Sequence, residues 1–271
     1  MANDGGWALR MTWRDLCFMH WPVDAGTLAA TLPPGLELDT FGGQAYLGVV
    51  PFHMTGVAPR WTPDVPGISA FPELNLRTYV RQGVQSGVWF YSLDAAQPLA
   101  VRLARALFHL PYFDARMWVS RAGGVTRYAS LRTHRWAPEG RFAAAYRPVG
   151  PLLNAPEGSL EHWLTHRLFL YAADPAGRLF RGRVRHAAWP LRRAEAVVGE
   201  NTLAERLGIR LSGAPHLLHA EELRVRADWL QLAQGQNQPA AMVRHPVGEP
   251  GSLTIRPGPS SRFARPLSPI P

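Results

Sequence analysis

The chain has 271 residues, 46% of them hydrophobic and 18% charged, which excludes a wholly disordered protein and leaves material for a sizeable core. All 29 basic residues are arginine, the formal net charge is +9 and the pI is near 10.7; with no lysine present, any enzyme that works through a lysine Schiff base is excluded. The single cysteine, Cys17, rules out an intramolecular disulfide and a cysteine-built zinc site.

In chain order, an apolar segment from Trp13 to Trp21 reads as a strand. A short helix follows over Val23–Leu32, closed by Pro33-Pro34-Gly35. A Gly42-Gly43 turn leads into a strand from Ala45 to Met54, and the proline-rich stretch Val57–Pro72 reads as a loop. Glu73–Arg81 is a well-marked strand in which Leu74, Leu76, Thr78 and Val80 alternate with Glu73, Asn75, Arg77 and Tyr79. Val88–Asp94 is its hairpin partner, and Pro98–Leu107 has helical character.

Further strands are expected over Ala115–Arg121, Val125–Arg132 and Phe142–Arg147, the first two joined by a Gly123-Gly124 turn. A helix over Ser159–Leu170 opens with Ser159 as N-cap and Glu161 in its first turn. Two last strands, Leu179–His186 and His216–Trp229, flank a short helix near Asn201–Arg206. Residues 1–233 then form one domain, and residues 234–271, rich in Pro, Gly, Ser and Gln, read as a disordered tail. The fold class is α+β, mostly antiparallel, with a closed or strongly curved sheet and a few peripheral helices.

The N-terminus has no basic region followed by an apolar stretch, and no apolar run approaches the roughly 20 residues of a membrane helix, so a cytoplasmic protein without a membrane partner is expected. The arginines are scattered, as at Arg77, Arg102, Arg127, Arg147 and Arg210, with no basic helix or arm. A GC-rich coding bias accounts for that pattern, so nucleic acid is not the expected partner, although an Arg-rich interaction surface is the alternative reading. A homo-oligomer is compatible with the sequence.

Three sets of residues could carry chemistry. Glu73, Asn75, Arg77 and Tyr79 share one face of a strand, which is either a solvent face or the wet wall of a lumen. His162 and His166 stand four apart on the expected helix, as zinc-binding histidines do, but the glutamate after the first histidine and a third ligand are missing, so no metal is expected. Asp94, at a strand end, is either a turn cap or a buried general base. No Gly-x-Ser-x-Gly elbow, P-loop or dinucleotide fingerprint occurs, and no cofactor is indicated.

The stretches His20-Trp21-Pro22-Val23-Asp24, Leu32-Pro33-Pro34-Gly35-Leu36-Glu37-Leu38, Phe71-Pro72-Glu73-Leu74-Asn75-Leu76-Arg77-Thr78-Tyr79-Val80, Gly158-Ser159-Leu160-Glu161 and Trp189-Pro190-Leu191 occur in an order that resembles the uncharacterised bacterial YqjF-like family. That family in turn resembles the acetoacetate decarboxylase-like superfamily, which implies a β-rich, barrel-like fold around a small-molecule cavity. In the decarboxylases a Pro-Lys-Lys tripeptide carries the Schiff-base lysine. Matched through the preceding apolar helix, that tripeptide falls on Pro111-Tyr112-Phe113, so the resemblance implies a loss of imine chemistry. Arg14 matches the decarboxylases' arginine at the start of the corresponding strand. The implied ligand is apolar or carries one anionic or carbonyl group, held near Arg14, Glu73, Asn75, Arg77 and Tyr112. Glu73 would be an acid or base and the Tyr112 phenol a hydrogen-bond donor to a carbonyl.

Overall fold

A computed structural model of the chain describes residues 6–233; the expected tail, 234–271, lies outside the described residues. The elements are β1 (Trp7–Val23), α1 (Ala25–Ala29), β2 (Glu37–Leu38), β3 (Ala45–Pro59), β4 (Phe71–Gln82), β5 (Gln85–Ala95), α2 (Pro98–Phe108), β6 (Tyr112–Ala122), β7 (Val125–Arg132), β8 (Arg141–Val149), α3 (Leu160–Thr165), β9 (Phe169–Ala173), β10 (Leu179–His186), β11 (Leu191–Asn201), β12 (His216–Asp228) and β13 (Gln231–Leu232). No helix among the described residues is long and apolar enough to cross a membrane.

Local chemistry explains the main boundaries. Asp24 caps α1 by accepting from the Thr27 N–H at 2.7 Å. Gln97 does the same for α2 through the Leu99 N–H, Pro98 opens that helix, and His109 ends it with a left-handed φ of 47°. Gly123 and Gly124, at φ 58° and 76°, form the two-residue turn between β6 and β7; both torsions suit glycine and match the twist of a tight hairpin.

The strand pairings close into two rings. In the first, β4, β5, β6, β7, β8, β11, β12, β1 and β3 are paired in succession, and β3 returns to β4. In the second, β5 pairs with β9, β9 with β10 and β10 with β12, and the shared run β12-β1-β3-β4 returns to β5. Most pairings are antiparallel; β5 runs parallel to β6 and to β9. Five strands therefore separate two interiors, and alternate residues along them face different compartments.

The nine-stranded ring is filled. Cys17, Met19, Leu74, Leu76, Tyr128, Phe142 and Tyr146 pack together there, all nearly or fully excluded from solvent. The other ring presents Leu16, Phe18, Val50, Phe52 and Leu93 from the same strands.

Four expectations are corrected by the structure. The helix expected over Ser159–Leu170 ends at Thr165, and the chain resumes as β9 at Phe169, because His166 leaves the helical region and β9 is drawn into the second ring. The helix expected over Val23–Leu32 is a single turn, Ala25–Ala29. β11 was not expected; it joins β8 to β12 and so closes the first ring. Where a short helix was expected near Asn201–Arg206, a 3-10 turn occupies Glu205–Leu207.

Candidate functional site

The second ring encloses a cavity of about 560 Å³, within the size range of pockets that bury small organic ligands. Its walls are largely apolar: Leu16, Val50, Phe52 and Phe71 come from the shared strands, Val184 and Val225 from the far side, and Trp13 and Trp189 stack at 5.8 Å. Helix α2 covers one side with Leu103, Ala104 and Leu107.

Polar groups reach this space mainly along β4. Glu73, Asn75 and Arg77 line it in sequence on one face of the strand, whereas Leu74 and Leu76 enter the packed ring. Of the two readings left open by the alternation, the lumen is the one observed: Glu73 and Asn75 are buried and Arg77 is half-buried. Tyr79, the fourth member, is buried just beyond them and packs on Trp163.

Tyr112 enters from the start of β6, beside Leu93 of β5. Its hydroxyl donates to Glu73 Oε2 at 3.0 Å. Burial raises the Glu73 carboxyl from its ordinary range to about 8; the Tyr112 hydrogen bond opposes that rise and the nearby Asp94 adds to it. Near neutral pH, Glu73 therefore keeps its proton in most molecules and offers both a donor and an acceptor. Burial and the adjacent Glu73 push the Tyr112 phenol well above its ordinary value, so it stays protonated. Asn75 Oδ1 is buried with no hydrogen-bond partner.

A second polar group stands at the Arg77 end. The Tyr79 hydroxyl donates to the Leu164 carbonyl at 2.8 Å and meets His20 Nε2 at 2.6 Å. Arg77 Nη2 donates weakly to the same carbonyl at 3.4 Å. Arg167, just after α3, donates from Nε to the Trp163 carbonyl and from Nη1 to Asp39 Oδ2, each at 2.6 Å. Both guanidinium carbons lie within 6 Å of the Tyr79 ring centre, at 5.8 and 5.0 Å. Burial pushes His20 well below the ordinary histidine range and lowers His186, which also faces the cavity, so both rings are neutral at pH 7.

The other candidates lie elsewhere. Arg14 does not line the cavity; it is half-exposed and pairs with Glu222 at 2.8 Å. The structure thus unites Glu73, Asn75, Arg77 and Tyr112 and separates Arg14 from them. Asp94 is fully buried in a two-point ion pair with Arg132, at 2.8 and 3.2 Å, facing away from the cavity. His162 and His166 stack at 4.7 Å, and among the described residues no set of three His, Cys, Asp or Glu side chains could hold a metal ion. Arg167, His186 and Trp189 were missed by sequence reasoning. Arg167 was hidden inside an expected helix, and the Trp189-Pro190-Leu191 motif offered the only local signal for its tryptophan.

Against this geometry, comparison with known proteins is informative. Residues 10–224 match DUF2071, a family described as an uncharacterized conserved protein. The uncharacterized protein YqjF of Bacillus subtilis is 44% identical over 216 residues, covering 80% of this chain and 88% of that protein. Among solved structures, acetoacetate decarboxylase from Legionella pneumophila aligns with a TM-score of 0.59 at 12% identity, over 83% of this chain and 87% of that one. An acetoacetate decarboxylase-like enzyme from Sphingomonas wittichii gives 0.58 at 13%, over 84% and 94%. The enduracididine biosynthesis enzyme MppR, solved with pyruvate, gives 0.58 at 11%, over 83% and 90%. At such identities the likeness establishes the shared fold.

Proposed function

The chain belongs to the DUF2071 family, with an acetoacetate decarboxylase-like fold, and we propose that it binds a largely apolar small molecule bearing a carbonyl or carboxylate group. Any chemistry on that ligand proceeds without a lysine Schiff base. Tyr112 and Phe113 hold the positions matched to the decarboxylase lysines, and no other lysine exists to replace them. The observation that carries the reading is the Glu73–Tyr112 pair, buried in the wall of a largely apolar cavity. A protonated carboxyl beside a phenol can donate to a ligand carbonyl oxygen, and after proton transfer can act as a base.

The Arg-rich alternative loses support from the distribution of charge. Arg10, Arg81, Arg102, Arg121 and Arg147 pair with Asp64, Glu37, Asp114, Asp15 and Glu195. A phosphate-tracking surface would leave a stripe of such cations unpaired.

A thermal-shift screen of purified protein against keto acids, carboxylates, acyl compounds and short oligonucleotides tests the proposal. Stabilisation by a small ligand should be lost in Tyr112→Phe or Glu73→Gln and kept in Arg14→Ala. Stabilisation by oligonucleotides alone, abolished by salt, would sink it.

A further inference from the structure

Of the three arginines that line the cavity, Arg183 is exposed to water, but Arg77 and Arg167 are drawn inward and require an explanation. Arg167 is buried and its charge is matched by Asp39. Arg77 has no acidic partner among the described residues, and its neighbours at this end are other cations or neutral rings. Aromatic faces hold both guanidinium groups: Phe18 and Tyr79 for Arg77, and Trp163 and Tyr79 for Arg167. Each retains a buried N–H nitrogen without a partner, Nε of Arg77 and Nη2 of Arg167. Unsatisfied buried donors on a charged group are costly unless something else fills them.

The geometry points to an anion site at the Arg77–Arg167 end, which takes the carboxylate of a monoanionic ligand whose apolar body fills the rest of the cavity. This rests on the proposed binding function and narrows its ligand class. Charge sets the anion: with Asp39 neutralising Arg167, Arg77 is the one inward cation without an acidic partner among the described residues, and the water-exposed Arg183 is screened, which suits a carboxylate better than a phosphate dianion. Geometry sets the pose. Arg77 and Glu73 are four residues apart on one strand face, roughly 13 Å along the chain, so a carboxylate on Arg77 directs the ligand body past Asn75 toward the Glu73–Tyr112 pair.

The test uses the full chain and the intrinsic fluorescence of Trp13 and Trp189, with octanoate, 4-phenylbutanoate, their methyl esters and octyl phosphate as probes. Acids should bind roughly tenfold to a hundredfold more tightly than their esters, the range expected for a charge-assisted contact. Arg77→Met should erase that preference while leaving the ligand-free protein at least as heat-stable. If Arg77→Met does not fold, Arg77→Lys, which keeps the charge but loses the Nε donor, should show a reduced preference. Esters bound as tightly as acids, but lost in Tyr112→Phe, would overturn the anion site and leave the binding reading standing. Octyl phosphate bound more tightly than octanoate would overturn the monocarboxylate assignment, and no response to any probe would overturn both.

Discussion

The Tyr112 hydroxyl donates to Glu73 across 3.0 Å at the place where β5 serves both rings of strands, so one hydrogen bond ties the start of β6 to the wall of the cavity. Removing it with Tyr112→Phe leaves Glu73 Oε2 buried without a donor, which costs about 1–3 kcal/mol. Urea unfolding should report that loss. Because the same bond holds the Glu73 carboxyl down, the variant's carboxyl should also titrate at a higher pH than in the parent, as followed by infrared absorption of the carboxyl band.

Stability should fall as the pH rises from 7.5 to 8.5. Glu73 is pushed up to about 8 in the folded chain against 4.5 in the unfolded one. Between those values the folded state holds a proton that the unfolded state has released, so each step upward in pH favours unfolding. The window above 7.5 favours this group: Asp94, raised to about 6, and the buried histidines, whose unfolded forms titrate near 6.5, have largely completed their transitions below it. Urea midpoints at pH 7.5 and 8.5 should fall further apart in the parent than in Glu73→Gln.

The buried ion pair of Asp94 and Arg132 should be intolerant of losing one partner. Both side chains are almost wholly excluded from water, at 0% and 1% exposure. Burial raises the Asp94 carboxyl to about 6 against the pull of Arg132, so the pair is ionised at pH 7. Arg132→Met strands that carboxylate and should cost about 3–5 kcal/mol at pH 7. The loss should shrink at pH 5, where Asp94 takes up a proton, and equilibrium unfolding at the two pH values reads the difference.

Gly87 marks the seam between β5 and β9. A Cβ there would stand 2.8 Å from the Phe169 carbonyl oxygen and from the Tyr171 ring. One of those contacts is backbone, so the strand itself must move. Gly87→Ala should destabilise the fold by about 1–3 kcal/mol and should speed hydrogen exchange in β9 and β10 more than in β7 and β8.

What could be read from the sequence followed the reach of each signal. Alternation in Glu73–Arg81 identified β4 and its two faces, since period-two patterning is local. It did not distinguish a lumen from solvent, because that depends on β9 and β10 lying opposite, more than eighty residues away along the chain. Glu73, Arg77 and Tyr112 were named as candidates through the strand pattern and the family resemblance, and they line one cavity. Arg167 was not, because the capped start of α3 is visible in Ser159 while its early end is imposed by pairing of β9. Arg14 was misleading for the opposite reason: a match in sequence position says nothing about which side of a strand the residue leaves from, and Arg14 leaves toward Glu222 and water.

The shared wall of five strands gives the molecule a division of labour. Cohesion is concentrated on one side, among Cys17, Met19, Leu74, Leu76 and Tyr128, where packing leaves little to change. The opposite side can hold an uncharged glutamic acid, an unmatched guanidinium and empty volume, each a burden that a single-core protein of this size would struggle to carry. Neighbouring positions on β4 should accordingly diverge under selection. Even-numbered residues from Leu74 onward answer to foldability, and their odd-numbered neighbours are free to track whichever ligand a given lineage requires.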